Sequence, residues 1–391
     1  MFTVSLSKSP TNASRYFAGH LCQDEYYSEH AAVRGQWHGR LVPELGLSTE
    51  SAVDAESFRR LCQGKQPTTN ERLTVRMNAN RRALFDFTIS APKSVSIMAL
   101  LAGDARVIDA HREAVGIALA QVESAASSRV RKGDACDSRA YRPTGNIVAA
   151  SFLHRESRSL DPQLHTHCIV FNVTFDPVEC RFKALESRAM FDSLSRSTHT
   201  YRTRLAANLR QLGYRVGFDG NGCPNIEGVP AVLMARFSKR ATSTRTAIAG
   251  LELQTGKPLS QKAVAAIFRT NRERKQALPP EAIHEFQASQ LSTDERSILA
   301  ALKAAAETKQ TKQAARAIEP RPTLSVSGAG WLAVVRGALT LAHGLKMDAH
   351  AFTLESDVCA RVRIAIPYLR YTRTARHLRT IGRIAAKLLS R

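Results

Sequence analysis

Acidic residues are few in this chain: 34 Asp and Glu stand against 56 Lys and Arg, a formal net charge of +22 over 391 residues. That imbalance points to a polyanionic partner, because neutralising phosphates releases their condensed counterions. A solvated basic surface without such a role, or an anionic membrane surface, are the competing accounts. Paired cysteines are missing too. The seven, at positions 22, 62, 136, 168, 180, 223 and 359, are scattered and contain no C-x-x-C, which argues against a disulfide framework and for a reducing compartment. No charged n-region followed by an apolar run opens the sequence. The apolar stretch "GWLAVVRGALTLAHGL" (330 to 345) is short and interrupted by Arg336 and His343. The expectation is a cytoplasmic protein with no membrane span. No G-x-x-x-x-G-K-[ST] occurs, so the chain holds no P-loop motor, and no internal repeat is visible.

What is present begins with an ordinary hydrophobic share of 43%, enough for a sizeable core. "LFDFTIS" (84 to 90) alternates Phe85, Phe87 and Ile89 with Asp86, Thr88 and Ser90, which is strand periodicity. Residues 105 to 130 pattern as one long amphipathic helix, and 191 to 212 as another. "NIVAASFLH" (146 to 154) and "LHTHCIVFNVTF" (164 to 175) are β-rich and separated by a polar Asp161-Pro162 turn. "YRVGFDGNGCPNI" predicts a short hairpin turning at 219 to 222. Residues 231 to 320 pattern as basic helices and a linker. The tail, 321 to 391, ends in a stripe of Arg370, Arg373, Arg376, Arg379, Arg383, Lys387 and Arg391 opposed by Leu378, Ile381, Ile384 and Leu388.

Three histidines fall within "HRESRSLDPQLHTH" (154 to 167). On a strand, His165 and His167 project to one face. Folding the preceding strand back through the turn sets His154 roughly opposite His165, where paired Cβ atoms stand about 5 Å apart. One hairpin thus gathers three imidazoles, a set that suits a divalent transition metal and leaves positions for substrate. Spacing alone leaves open a zinc hydrolase, or histidines satisfied by hydrogen bonds.

The blocks "FDFTISAPKSVSIMALL" (85 to 101), "HRESRSLDPQLHTHCIVFNVT" and "RYFAGHLCQDEYYSEH" near the start resemble the relaxase domain of TrwC/MobF-class conjugative relaxases, HUH-type single-strand endonucleases. "GQWHGRLVPELGL", "LGYRV", "IEGVP" and "FSKR" add to the likeness, which covers roughly residues 1 to 290 and not the tail. The resemblance implies an α+β fold: a central antiparallel sheet with helices on its faces, of HUH or palm-like type, followed by a mostly helical segment. It implies a catalytic domain over 1 to 230, a finger-like DNA-clamping segment with linker over 231 to 320, and a basic tail of unknown role over 321 to 391.

It also implies site- and strand-specific nicking and rejoining of DNA at a transfer origin, through a 5′-phosphotyrosine and a free 3′-hydroxyl. By this resemblance Tyr16 is the nucleophile, Tyr26 the better of the pair Tyr26 and Tyr27 for a second strand transfer, and Asp86 the carboxylate that fixes a ligand histidine or takes the tyrosine proton. His154, His165 and His167 are the metal ligands. Phe17 stands where the family commonly has a second tyrosine, so redundancy at the first pair is lost. Lys93 is placed near the site, where it could counter phosphate charge. Arg81, Arg82, Arg155 and Arg158 flank the predicted strands and could hold the DNA backbone or form a solvated basic edge.

No organic cofactor is expected. Imidazoles favour Mn²⁺, Ni²⁺, Cu²⁺ or Zn²⁺, while phosphate and water in the open positions keep Mg²⁺ workable. Expected partners are single-stranded origin DNA, a separate helicase, accessory origin-binding proteins and a coupling protein. Two other readings remain at this point: a metal-dependent phosphodiesterase using activated water, and an inactive remnant that grips origin DNA.

Overall fold

In a computed structural model, described for residues 2–7, 35–75, 82–130, 140–260, 263–264, 266–267 and 278–318, the chain builds a mixed α/β unit around one antiparallel sheet. Tyr16, Tyr26, Tyr27, Arg81 and the basic tail lie outside the described residues. The elements in order are β1 (Phe2–Ser7), β2 (Gln36–His38), α1 (Ala55–Cys62), β3 (Leu84–Ser90), α2 (Lys93–Leu100), α3 (Ala105–Ser124), β4 (Ser127–Arg129) and β5 (Tyr141–Pro143). They continue with β6 (Ala149–Glu156), β7 (Pro162–Phe171), β8 (Thr174–Asp176), β9 (Arg181–Lys183), α4 (Ser187–Asp192) and α5 (Leu194–Gln211). Last come β10 (Val216–Phe218), β11 (Pro224–Ile226), α6 (Ala231–Arg236), α7 (Lys239–Thr255), α8 (Pro280–Ser289) and α9 (Thr293–Ile318). Contacts divide the chain into two units, Met1–Arg316 and Ala317–Arg391. No helix among the described residues is long and apolar enough to cross a membrane.

The sheet order is β1-β3-β7-β6-β2. Its middle is set by the period-2 patterns of β3 and β7, which send alternate residues to opposite faces. On one face Phe85, Phe87 and Ile89 join Leu164, Cys168 and Val170 under α2, α3 and α5, through residues such as Val95, Val115, Leu119 and Leu205. On the other face Leu84, Ala150, Phe152, Ile169 and Phe171 pack with Trp37 and Phe58. That second face is apolar at one end only. Its other end carries Asp86, His154, His165 and His167, so the second core leaves a polar platform beside it.

Pro92 precedes α2, where a missing N–H costs nothing. Asp104 caps α3, its carboxylate accepting from Arg106 N–H at 3.1 Å. The single helix expected over 105 to 130 ends at Ser124, because Glu123 turns inward to accept from the Arg40 and Ile147 amides at 2.7 and 3.0 Å, and Ser127–Arg129 joins a hairpin instead. The long strand expected to run to 175 breaks at Asn172, whose side chain bonds the Arg82 carbonyl and the Leu185 amide.

Beneath β7, His111 of α3 bonds Thr166 Oγ1 through Nε2 at 2.9 Å and the Tyr201 hydroxyl through Nδ1 at 2.8 Å. Thr166 lies between the two histidines of H-x-H and points to the opposite face. Burial pulls the His111 imidazole down to about 3, so it is neutral in the folded protein. The unfolded chain therefore takes up the proton first as pH falls below about 6.5, and stability drops through that window. Between pH 7 and pH 5 this one group is expected to remove about 2 kcal/mol, measured by urea denaturation. A His111→Gln variant should show a correspondingly flatter profile over the same range.

Candidate functional site

The pairing register of β6 and β7 sets His154 directly against His165 and Phe152 against His167. Centre to centre, the three imidazole rings stand 5.2 Å (154 to 165), 5.2 Å (154 to 167) and 5.3 Å (165 to 167) apart. A divalent ion about 2.1 Å from an imidazole nitrogen lies about 3.2 Å from the ring centre, and three such rings at tetrahedral angles stand about 5.2 Å apart. The triangle thus has the ring-centre spacing that three ligands of one ion would show. Among the described residues no group of three or more His, Cys, Asp or Glu is arranged to hold a metal ion as it stands. The match is one of ring centres, with the His154 and His165 planes 25° apart.

The hydrogen bonds around the triangle set which ring nitrogens keep a lone pair. His165 Nδ1–H donates to the Gln163 carbonyl at 2.9 Å, and His167 Nδ1–H to Asp86 Oδ1 and Oδ2 at 2.9 and 3.0 Å. In both rings the lone pair then belongs to Nε2, the tautomer a metal needs. Asp86 is only 4% exposed. Both its oxygens lie on His167, with Thr88 Oγ1 donating to Oδ1 at 3.4 Å. Its carboxylate thereby fixes the orientation and tautomer of the His167 ring. Asp86→Ala is expected to weaken divalent-ion binding about 10- to 100-fold, read by Mn²⁺ titration calorimetry.

The basic residues scatter differently. Lys93, at the start of α2, does not reach for solvent: its Nζ donates to the Pro162 carbonyl at 2.9 Å and to Gln163 Oε1 at 3.0 Å. Burial pulls its ammonium down to about 8, with the Asp161 carboxylate opposing that shift. Arg155 is exposed on β6 next to His154, and Arg158 is half-buried in the β6–β7 turn. Arg82 is exposed at the far end of β3 from Ser90, where it bonds Ser187 Oγ at 3.1 Å. Since Ser90 is the residue that pairs with His165, Arg82 stands apart from the triangle.

Sequence reasoning named Asp161 only as part of a turn and did not single out Gln163, Ser96 or Gln287, although the first two of these sit inside the quoted blocks. Asp161 is buried, and burial raises its pKa. It accepts from the Lys239 backbone N–H at 3.0 Å, while Gln287 of α8 donates to the Leu160 carbonyl at 2.9 Å. The helices after residue 231 thus dock on the turn that joins the two histidine-bearing strands.

Residues 10–294 match the family model described as TrwC relaxase. The multifunctional conjugation protein TraI of Escherichia coli (strain K12) is 34% identical over 292 residues, which cover 72% of this chain and 15% of that protein. The chain thus spans about 15% of the length of that curated relative. Among solved structures, the conjugative relaxase TrwC in complex with oriT DNA, in its metal-bound form, superposes with a TM-score of 0.62 at 29% identity. It covers 77% of this chain and 98% of that one. The copper-bound form of the same complex gives 0.63 at 28% identity, with the same coverage.

Proposed function

The chain belongs to the TrwC relaxase family, and on that premise we propose that it is a DNA relaxase that nicks and rejoins one strand at a conjugative transfer origin by tyrosine transesterification. The observation that carries the reading is the imidazole triangle, with Asp86 orienting one of its members, in a chain of this family. His154, His165 and His167 would hold a divalent metal. When bound, that ion supplies Lewis-acid polarisation of a phosphate oxygen. Metal-bound and copper-bound forms of the related TrwC support a divalent ion without fixing which one.

Tyr16 is the proposed nucleophile. Its phenol oxygen attacks the scissile phosphorus as the phenolic O–H bond breaks, and the 3′-oxygen leaves and takes up a proton. The new phosphotyrosine bond conserves the phosphodiester for rejoining. Tyr26 is the candidate for the second transfer. Asp86, already committed to His167, serves by holding that ring in its tautomer. Arg155 and Arg158, near the ligand strands, are proposed to hold the DNA backbone. The helices docked on the β6–β7 turn are proposed to close over the strand. Partners proposed for the full process are a separate helicase, accessory origin-binding proteins and a coupling protein.

Incubation with single-stranded DNA from the chain's own transfer region and Mn²⁺ tests the reading on a denaturing gel. The expected product is DNA covalently attached to protein through its 5′ end, together with a fragment ending in a 3′-hydroxyl. Fragments free of protein would instead identify a water-using phosphodiesterase. Binding with no cleavage would identify an inactive origin-binding protein.

A further inference from the structure

The pairing of β6 with β7 is not regular. His154 opposes His165, but Glu156 opposes Pro162, so the register shifts and two residues, Gln163 and Leu164, face the single Arg155. This is a β-bulge immediately beside the imidazole pair. Bulges re-aim the side chains next to them and commonly occur near active sites. A bulge leaves backbone groups without ladder partners, and here such groups are met from one place, Ala91 and the first turn of α2. Ala91 N–H donates to the Leu164 carbonyl at 2.9 Å, and Leu164 N–H donates to Ser96 Oγ at 3.0 Å. Gln163 Nε2 reaches the Ala91 carbonyl at 3.3 Å. Lys93 adds two more contacts, from Nζ to the Pro162 carbonyl and to Gln163 Oε1.

The same Gln163 has a second task. Its backbone carbonyl accepts from His165 Nδ1 and so sets the tautomer and the tilt of that ring. A chain of direct contacts therefore runs from the Lys93 ammonium through the bulge to Nδ1 of the His165 ring. We propose that Lys93 is a positioning residue for the metal centre, pinning the bulge that aims His165 at the ion. This rests on the three histidines being metal ligands, as proposed above. It gives the lysine of "SAPKSVS" a role distinct from contact with a DNA phosphate.

The sign of one effect separates positioning from simple electrostatics. Removing a cation near a metal site should strengthen metal binding if charge repulsion were the whole matter. Loss of positioning weakens it. Lys93→Met keeps the length of the side chain and removes the donor. Its Mn²⁺ affinity, by titration calorimetry on the full chain, is expected to fall about tenfold or more. Affinity for single-stranded DNA in metal-free buffer should stay within about twofold. Gln163→Met, which keeps the backbone carbonyl but removes both side-chain contacts, is expected to weaken Mn²⁺ in the same direction, and it carries the test should Lys93→Met not fold.

Unchanged or tighter Mn²⁺ binding in the folded variant would overturn the proposal. So would a large loss of metal-free DNA binding, which would make Lys93 a phosphate contact. His165→Ala, run alongside, keeps the two questions apart. If it too leaves Mn²⁺ binding intact, the metal site itself is wrong. If it abolishes binding while Lys93→Met does not alter it, only the role of Lys93 fails.

Discussion

Tyr16→Phe is expected to abolish the protein–DNA adduct while leaving metal binding and DNA binding unchanged. The substitution removes one oxygen and no ring volume, so it tests the nucleophile and little else. The phenol is a poor nucleophile when neutral, its ordinary pKa being about 10, and it depends on the site to become reactive. With the hydroxyl gone there is nothing for the activated phosphate to bond to. Neighbouring Phe17 has no hydroxyl to substitute for it. The rate of adduct formation should fall by at least about a thousandfold, measured on origin DNA under denaturing conditions. Tyr26→Phe should spare the first adduct and reduce only the second transfer. An adduct that persists in Tyr16→Phe and vanishes in Tyr26→Phe would exchange the two assignments.

The second large effect belongs to the ligands. His165→Ala removes the ring that pairs with His154 and takes its tautomer from the bulge. Two imidazoles then remain where three stood, and a divalent ion at neutral pH should bind more than about 100-fold more weakly, beyond what loss of an outer partner costs. Mn²⁺-dependent cleavage should disappear with it, while DNA affinity in metal-free buffer persists. His38→Ala is the matched control. His38 sits on the edge strand β2 and bonds Ser151 Oγ at 2.8 Å, so its loss should leave Mn²⁺ affinity within about twofold.

Much of this centre was legible in the sequence because it depends on local periodicity. H-x-H on a strand places two rings on one face whatever the rest of the fold does, and a short turn returns His154 to them. The alternation of "LFDFTIS" likewise sends Asp86 to that face. Its burial was not legible: the polar side of β3 is covered at Asp86, which lies against His167 some 81 positions away in sequence. The bulge was equally hidden. It is stabilised by partners about 70 residues upstream, and no window of the local pattern announces an extra residue in a strand. His111 lies within the stretch that patterns as a long amphipathic helix, and its bond to Thr166 exists only once α3 lies across β7. In each case the missing information was a long-range hydrogen bond that satisfies a buried polar group. The helices from residue 231 were expected from composition, but their docking on the β6–β7 turn through Lys239 and Gln287 was not.

The most direct measurement is an anomalous-difference map from crystals grown with Mn²⁺. The account predicts one peak about 2 Å from a ring nitrogen of each of His154, His165 and His167, with Asp86 still bonded to His167 on the side away from the ion. Rings that turn apart in the presence of Mn²⁺, or a peak held by carboxylates elsewhere with none at the triangle, would contradict it.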